Sequence, residues 1–254
     1  MSRLTGKHAL VTGANRGIGA AIVRSLAAEG ADITLMVRDR AAAERVAAEL
    51  RTRTHIVTAD VSDRAAVRVG CESAAAALGP VDILVNNAGT VETIPFLKAA
   101  PEVFTQMFAV HVLGAVHTSQ ALLPAMLERG AGTIVNVASI AGLHGAPYVA
   151  HYVAAKHALV GLTRALAAEY RGKGVTVNAV CPGYVATDLV SGSLSKISAK
   201  TGLSEAEALA AILKDAGQPR IVEAQEVADA VLHFVAGGGA AASGETFVLM
   251  GLDT

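Results

Sequence analysis

Tyr152 and Lys156 stand four residues apart, and Ser139 precedes the tyrosine by thirteen. On a helix, a four-residue step stacks two side chains on one face. A phenol beside an ammonium ionises more easily, because the positive charge favours the phenolate. A free tyrosine has a pKa of about 10, so acid–base work near neutrality needs a shift of roughly 3 units, or about 4 kcal/mol. A second chemical feature lies far upstream, in Thr12-Gly13-Ala14-Asn15-Arg16-Gly17-Ile18-Gly19. Its Gly-x-x-x-Gly-x-Gly spacing lets backbone approach a pyrophosphate at a helix N-terminus, where free N–H groups and the helix dipole favour negative charge. The alternative is a glycine-rich turn built only for tight helix packing. Its place directly after a strand favours the dinucleotide site. One lysine and one oxidised nicotinamide ring together supply a field of the order the tyrosine needs. The two features imply a tyrosine that exchanges a proton with a substrate oxygen beside a bound dinucleotide.

Two arginines bear on which dinucleotide. An acidic residue closing the second strand would hydrogen-bond an unphosphorylated ribose. Val37 stands there, Arg38 follows at once, and Arg16 lies in the turn itself. Arginine pairs well with a 2′-phosphate, so the charge argument favours NADP(H) over NAD(H). The alternative is a pair of solvated arginines, with Asp39 partly neutralising Arg38.

The elements that must position these groups alternate from end to end. Apolar runs read as strands at His8–Val11, Ile33–Val37, His55–Thr58, Asp82–Asn86, Thr133–Val137, Val175–Val180 and Thr246–Leu249. Helical patterns fall at about Ile18–Ala28, Ala41–Leu50, after a cap at Ser62 or Asp63, Pro101–Arg129, Tyr148–Tyr170 and Val227–Val235. Continuous apolar strands are covered on both faces, and strand–helix alternation means parallel crossovers. The expectation is a single-domain α/β protein over residues 1–254, a doubly wound parallel sheet (Rossmann fold) of about seven strands with helices on both faces. No repeat period interrupts it. Ser191 to Gly217 is the irregular part, with an alanine-rich helix at Ser204–Lys214, and a lid is expected at about 188–217.

A chain of 254 residues is near the upper limit for one hydrophobic core. The apolar share of 52% and mean hydropathy of +0.46 are high. Polar residues still interrupt every eighteen-residue stretch, so no membrane-spanning helix is expected. The N-terminus lacks the apolar core of a signal peptide, which makes the cytoplasm the expected compartment. A net charge of -1 points neither to nucleic acid nor to an anionic membrane surface. Cys71 and Cys181 make neither a disulfide framework nor a metal cluster and read as reduced, buried thiols, so no metal site is expected.

These motifs, in this order from Lys7 to Leu249, resemble the short-chain dehydrogenase/reductase family. Gly13, Asn15, Arg16, Gly17, Ile18 and Gly19 match its cofactor turn. Asp60-Val61 is similar to the pair whose carboxylate contacts the adenine. Asn86-Asn87-Ala88-Gly89 resembles the sheet-stabilising motif that lies along the cofactor. Ser139, Tyr152 and Lys156 match the catalytic triad. Pro182-Gly183, with Val185 and Thr187, is similar to the segment that holds the nicotinamide carboxamide. The resemblance implies an oxidoreductase that moves a hydride reversibly between NADP(H) and a carbonyl or secondary alcohol. Tyr152 is then the proton donor and Ser139 hydrogen-bonds the same oxygen. Lys156 lowers the tyrosine pKa and grips the nicotinamide ribose.

The chain departs from the family in two places. Where relatives carry an asparagine that anchors a water leading to the lysine, Phe108-Ala109-Val110-His111-Val112-Leu113-Gly114 holds His111. An imidazole donates and accepts, so His111 either serves the relay or is a satisfied core histidine. Met250-Gly251-Leu252-Asp253 replaces a common Asp-Gly-Gly ending. His144, His151 and His157 lie nearby without metal-site spacing and are expected at substrate or surface.

The pocket wall would come from the loop after Ser139, residues 90–98 and residues 185–217. Their side chains (Val91, Ile94, Phe96, Leu143, Tyr148, Tyr184, Leu189, Val190) are mostly apolar. Within the family, Thr187-Asp188-Leu189-Val190 is similar to 3-hydroxybutyrate dehydrogenases, and other stretches resemble polyketide and 3-oxoacyl ketoreductases. A 3-oxoacyl-type ketone is the preferred substrate class. A secondary or cyclic alcohol dehydrogenase working oxidatively is the alternative. A non-catalytic dinucleotide sensor is the reading from another class, and the intact triad argues against it. Relatives are usually tetramers built on the long helices flanking the fifth strand. Phe104, Phe108, Val112, Val116, Val160, Leu162 and Leu166 permit a homotetramer or homodimer, and burial inside one subunit explains them as well.

Overall fold

The structure is a computed structural model that describes residues 2–236 and 242–251, and the side chain of Leu189 and the Leu252-Asp253 ending lie outside the described residues. Strands with apolar residues on both alternations need cover on both sides. Seven of them pair in parallel, in the order β3-β2-β1-β4-β5-β6-β7. They are β1 (His8–Thr12), β2 (Asp32–Val37), β3 (Thr54–Thr58), β4 (Ile83–Asn86), β5 (Gly132–Val137), β6 (Val175–Pro182) and β7 (Thr246–Leu249). The helices are α1 (Gly17–Ala28), α2 (Arg40–Ala47), α3 (Arg64–Leu78), α4 (Pro101–Phe108), α5 (Gly114–Arg129), α6 (Ala150–Glu169), α7 (Asp188–Thr201), α8 (Glu205–Asp215) and α9 (Ala224–Val235).

Alternate strand residues go to alternate faces. Ala9, Val11, Ile33, Leu35, Ile83 and Val85 pack with α1, α2 and α9. Leu10, Met36 and Leu84 pack with α3, α5 and α6. The chain winds outward from β1 in one direction and from β4 in the other. Ligands of doubly wound sheets bind at the carboxyl ends of the strands where that reversal occurs.

Differences from the sequence expectation lie mostly at element ends. Tyr148 is left-handed, with φ 64, so α6 begins at Ala150. β6 runs on to Pro182, which lies past the last β5 pair, Val137 with Val180, so its missing N–H breaks no bond of the ladder. Ser191 to Thr201 is helical in α7, not irregular. Val190, Leu194 and Ile197 recur there at helical spacing, with Leu194 buried. Ser204 then starts α8 through a reciprocal capping box with Glu207. The helix expected at Pro101–Arg129 is continuous but contains a π turn, Ala109–Leu113. Among the described residues this run is also long and apolar enough on composition to cross a membrane. Its packing against α3, α6, β4 and β5 accounts for part of that apolar character, with 44% of the apolar window buried.

A buried polar ladder ties the centre together. Thr118 Oγ1 donates to Asn86 Oδ1 at 2.7 Å, Asn86 Nδ2 to Asn136 Oδ1 at 2.9 Å, and Asn136 Nδ2 to Thr163 Oγ1 at 2.8 Å. The ladder joins α5, β4, β5 and α6. Asn136→Leu strands the Asn86 amide N–H in the core. The expected loss is roughly 1–3 kcal/mol of unfolding free energy, read from urea melts. An unchanged midpoint would show that the ladder contributes nothing.

Candidate active site

The carboxyl ends of β1 to β6 deliver the residues singled out above. After β1, α1 starts at Gly17 with no side-chain cap and no acidic residue in its first turn. Its first N–H groups therefore remain available to an anion. A Cβ on Gly19 would sit 2.2 Å from Gly13 O and 2.6 Å from Asn87 Nδ2, so only glycine permits this approach. Asn87 Nδ2 donates to Thr12 O at 2.9 Å and to Gly13 O at 3.2 Å. Thr12 Oγ1 accepts from the N–H groups of Asn87, at 3.0 Å, and Ala88, at 2.9 Å. The end of β4 is thereby stitched to the turn. A backbone-lined cradle at an uncapped helix end fits the pyrophosphate of a dinucleotide. Asn15 and Ile18 are half-buried in it and Arg16 is exposed.

Arg38 is exposed just past β2, with Nη1 3.6 Å from Asp60 Oδ2. Asp39, which the alternative reading paired with it, caps α2 by accepting from the Ala42 N–H at 3.1 Å. Asp60 also accepts from Ser62 N at 2.9 Å and Ser62 Oγ at 2.6 Å. These bonds, and secondarily Arg38, hold its carboxyl below the usual range. Val61 beside it is buried. Past β6, the Gly183 N–H donates to Leu249 O at 2.8 Å, Val185 bridges to Val222, and the Thr187 side chain lies against Gly17. Nothing in the sequence pointed to Gln218, a lone buried amide between Gly217 and Pro219. It accepts from Tyr184 N at 2.8 Å and donates to Tyr184 O at 2.9 Å, fixing this segment.

Tyr152 and Lys156 share one face of α6, with Lys156 Nζ 5.5 Å from the phenol ring centroid. Lys156 Nζ donates to Val137 O, the last residue of β5, at 2.8 Å. Ser139 caps a short turn at Ile140–Gly142, accepting from the Ala141 N–H at 3.1 Å, and its hydroxyl lies 3.4 Å from Pro182 O. The downward tyrosine shift expected from the sequence required both Lys156 and an oxidised nicotinamide, and the protein alone moves the phenol the other way. Burial pushes the phenol up to about 12, against an opposing hydrogen bond with Ser139. Burial also brings the Lys156 ammonium down to about 7. Desolvation penalises both charged forms, so the protein groups alone favour a neutral phenol. Cys181, fully buried, lies beside this group with its thiol pKa raised by burial.

His111 sits in the π turn, almost fully buried. Its ring meets that of Tyr152 edge-on, with centroids 5.3 Å apart. A Cβ on Gly89 would come within 2.5 Å of its Cε1, so the chain passes this ring as glycine. Burial first, then the Lys156 charge, bring its pKa down to about 3. His144 and His157 are exposed, whereas His151 is fully buried. Of the expected wall, Val91, Ile94, Leu143, Tyr184 and Val190 are half-buried, and Phe96 and Tyr148 are exposed.

Comparison with known proteins gives this geometry a family. The family model described as short chain dehydrogenase matches residues 7–197. The chain is 46% identical over 166 residues to inactive 2-(S)-hydroxypropyl-CoM dehydrogenase 2 of Xanthobacter autotrophicus, covering 65% of this chain and 72% of that protein. It is 39% identical over 203 residues to D-beta-hydroxybutyrate dehydrogenase of Cupriavidus necator, covering 79% of each. It is 33% identical over 228 residues to the 3-oxoacyl-(acyl-carrier-protein) reductase FabG of Haemophilus influenzae, covering 90% of each. The crystal structure of levodione reductase matches with a TM-score of 0.91 at 29% identity, over 98% of this chain and 97% of that one. The chain belongs to the short-chain dehydrogenase family. It is an oxidoreductase acting on CH–OH and C=O groups with a nicotinamide dinucleotide.

A histidine whose folded pKa is about 3 takes up its proton more readily once unfolded, where the value is 6.5. The stability this contributes is fully present above about pH 6.5 and is lost as pH falls toward the folded value. Between pH 6.5 and 5, wild type is expected to lose stability faster than His111→Gln, by roughly 1 kcal/mol per pH unit. Parallel urea midpoints for the two proteins would contradict this.

Proposed function

We propose that the protein is an NADP(H)-dependent reductase of 3-oxoacyl-type ketones, with Ser139, Tyr152 and Lys156 as its catalytic groups. The observation that carries this reading is the pairing on α6 of a half-buried Tyr152 with a buried Lys156, with Ser139 at the end of the neighbouring strand β5. When bound, the nicotinamide supplies or accepts the hydride at C4. A phenol pushed up to about 12 is fully protonated at neutral pH, the state required to donate to a carbonyl oxygen. The Ser139 hydroxyl donates to the same oxygen, and both donors stabilise the charge that develops there. Lys156, with an ammonium near 7, changes protonation close to working pH and can restore the phenol's proton while holding the nicotinamide ribose.

The turn from Gly13 to Gly19 would take the pyrophosphate, Asp60 and Val61 the adenine, and Asn87, Ala88 and Gly89 the length of the dinucleotide. Pro182, Gly183, Val185 and Thr187 would take the carboxamide. Support for NADP(H) comes from Val37 in place of an acid and from two exposed arginines, Arg16 and Arg38. The substrate class is supported by the largely apolar wall and by relatives named for hydroxybutyrate and 3-oxoacyl substrates. In this reading one catalytic domain spans residues 1–254, and α7 with α8 forms a lid at about 188–217. The enzyme works in the cytoplasm as a homotetramer or homodimer. Exposed Phe108 and Leu113 support the assembly, whereas Val160 is buried within its own subunit.

Tyr152→Phe tests the chemistry. Fluorescence titration is expected to show NADPH affinity within about threefold of wild type, while reduction of ethyl 3-oxobutanoate falls by about 10²–10⁴. Substantial surviving turnover would remove the tyrosine from its role. Arg38→Ala tests the cofactor. It is expected to weaken NADPH by about tenfold or more and leave NADH nearly unchanged, because only the former offers a 2′-phosphate. Equal effects on both would remove the role given to Arg38.

A further inference from the structure

Two imidazoles from different elements grip one loop. His111 Nε2 lies 2.7 Å from Thr90 O, and His151 Nε2 lies 2.9 Å from Glu92 O. A carbonyl only accepts, so each Nε2 carries the proton. The Thr90 N–H, 3.3 Å from the same His111 nitrogen, has no lone pair to meet in that tautomer. Each Nδ1 is then the lone pair, and both are buried without a partner among the described residues. For filling space alone this is a poor choice, since an apolar side chain would leave no polar atom stranded.

The grip continues along the loop at every second residue. The Ile94 N–H donates to Tyr148 O at 2.8 Å, the residue whose backbone is left-handed. Phe96 stacks edge-on with Phe104 at 6.4 Å, and Phe104 with His151 at 5.8 Å. Residues 90, 92, 94 and 96 are thus tied to the elements that surround Tyr152. His151 is the chain neighbour of the tyrosine, and the His111 ring rests on its ring. The loop cannot shift relative to the phenol without breaking these contacts.

We propose that His111 and His151 are positioning residues, a two-point clasp that sets the gap between the 90–98 loop and the Tyr152 phenol. The clasp thereby limits the bulk of ketone accepted on that side. This rests on the carbonyl-reductase reading above. The test uses His151→Phe, which keeps a ring and loses the donor, and His151→Gln, which keeps a donor at similar reach. The readout is kcat/KM with NADPH across 3-oxobutanoate esters from methyl to benzyl. The benzyl-to-methyl ratio is expected to rise by about tenfold in His151→Phe, the scale of one hydrogen bond, and to return to within about threefold of wild type in His151→Gln. A uniform change across the series, or a glutamine variant that behaves like phenylalanine, overturns the proposal. Amide hydrogen exchange over residues 90–98, without substrate, is expected to quicken in His151→Phe alone, and unchanged exchange also overturns it. If wild type reduces none of the esters, the function reading fails, and the exchange result still decides the clasp.

Discussion

Half-burying a phenol and burying an ammonium on one helix face sets the terms for the rest of the site. Burial disfavours both charged forms, so Tyr152 holds its proton and Lys156 tends to release one. The neighbours are arranged to match. Val137 O accepts from Lys156, and the Ser139 hydroxyl opposes the upward shift of the phenol. His111, neutral across ordinary pH, closes the side of the tyrosine ring without adding a charge. A protonated imidazole there would compete with Lys156 for the same small low-dielectric space. In the proposed reaction this makes the site a proton donor, its ionisation left for a bound cation to promote.

The sheet makes this burial possible. Apolar cover on both faces holds β1, β4 and β5 rigid, and their carboxyl ends converge where the winding reverses. The Asn86–Asn136–Thr163 ladder fixes α6 to β4 and β5, and the Thr12–Asn87 bonds fix β4 to the glycine turn. The phenol and the cradle therefore share one rigid frame, although α6 and α1 lie far apart in the chain.

The architecture was legible because the central strands are apolar on both alternations and several helices are bounded by local signals, such as the Asp63 cap of α3 and the Ser204 box of α8. The pairing of Tyr152 with Lys156 was legible from helix spacing, and Ser139 joined them through the family resemblance. Other features depend on tertiary packing and left weaker marks. The helix α7 hides in a Ser- and Lys-rich stretch whose few apolar residues are decisive. The left-handed Tyr148 is held by a bond to Ile94, distant in sequence. The burial of His151 depends on Phe104 and on the loop carbonyl of Glu92, neither of which helix spacing reveals. A neighbouring charge can be read from spacing, whereas the loss of water that pushes the phenol up in the protein alone cannot.

The most direct measurement follows the Tyr152 phenol itself, by 13C NMR titration of ring-labelled tyrosine with and without NADP⁺. The expected result is a phenol near 12 in the protein alone, falling by about two units or more when the cationic ring binds beside it. An ordinary value near 10 in the protein alone, or no movement on adding NADP⁺, would contradict the claim that desolvation holds this proton until the dinucleotide arrives.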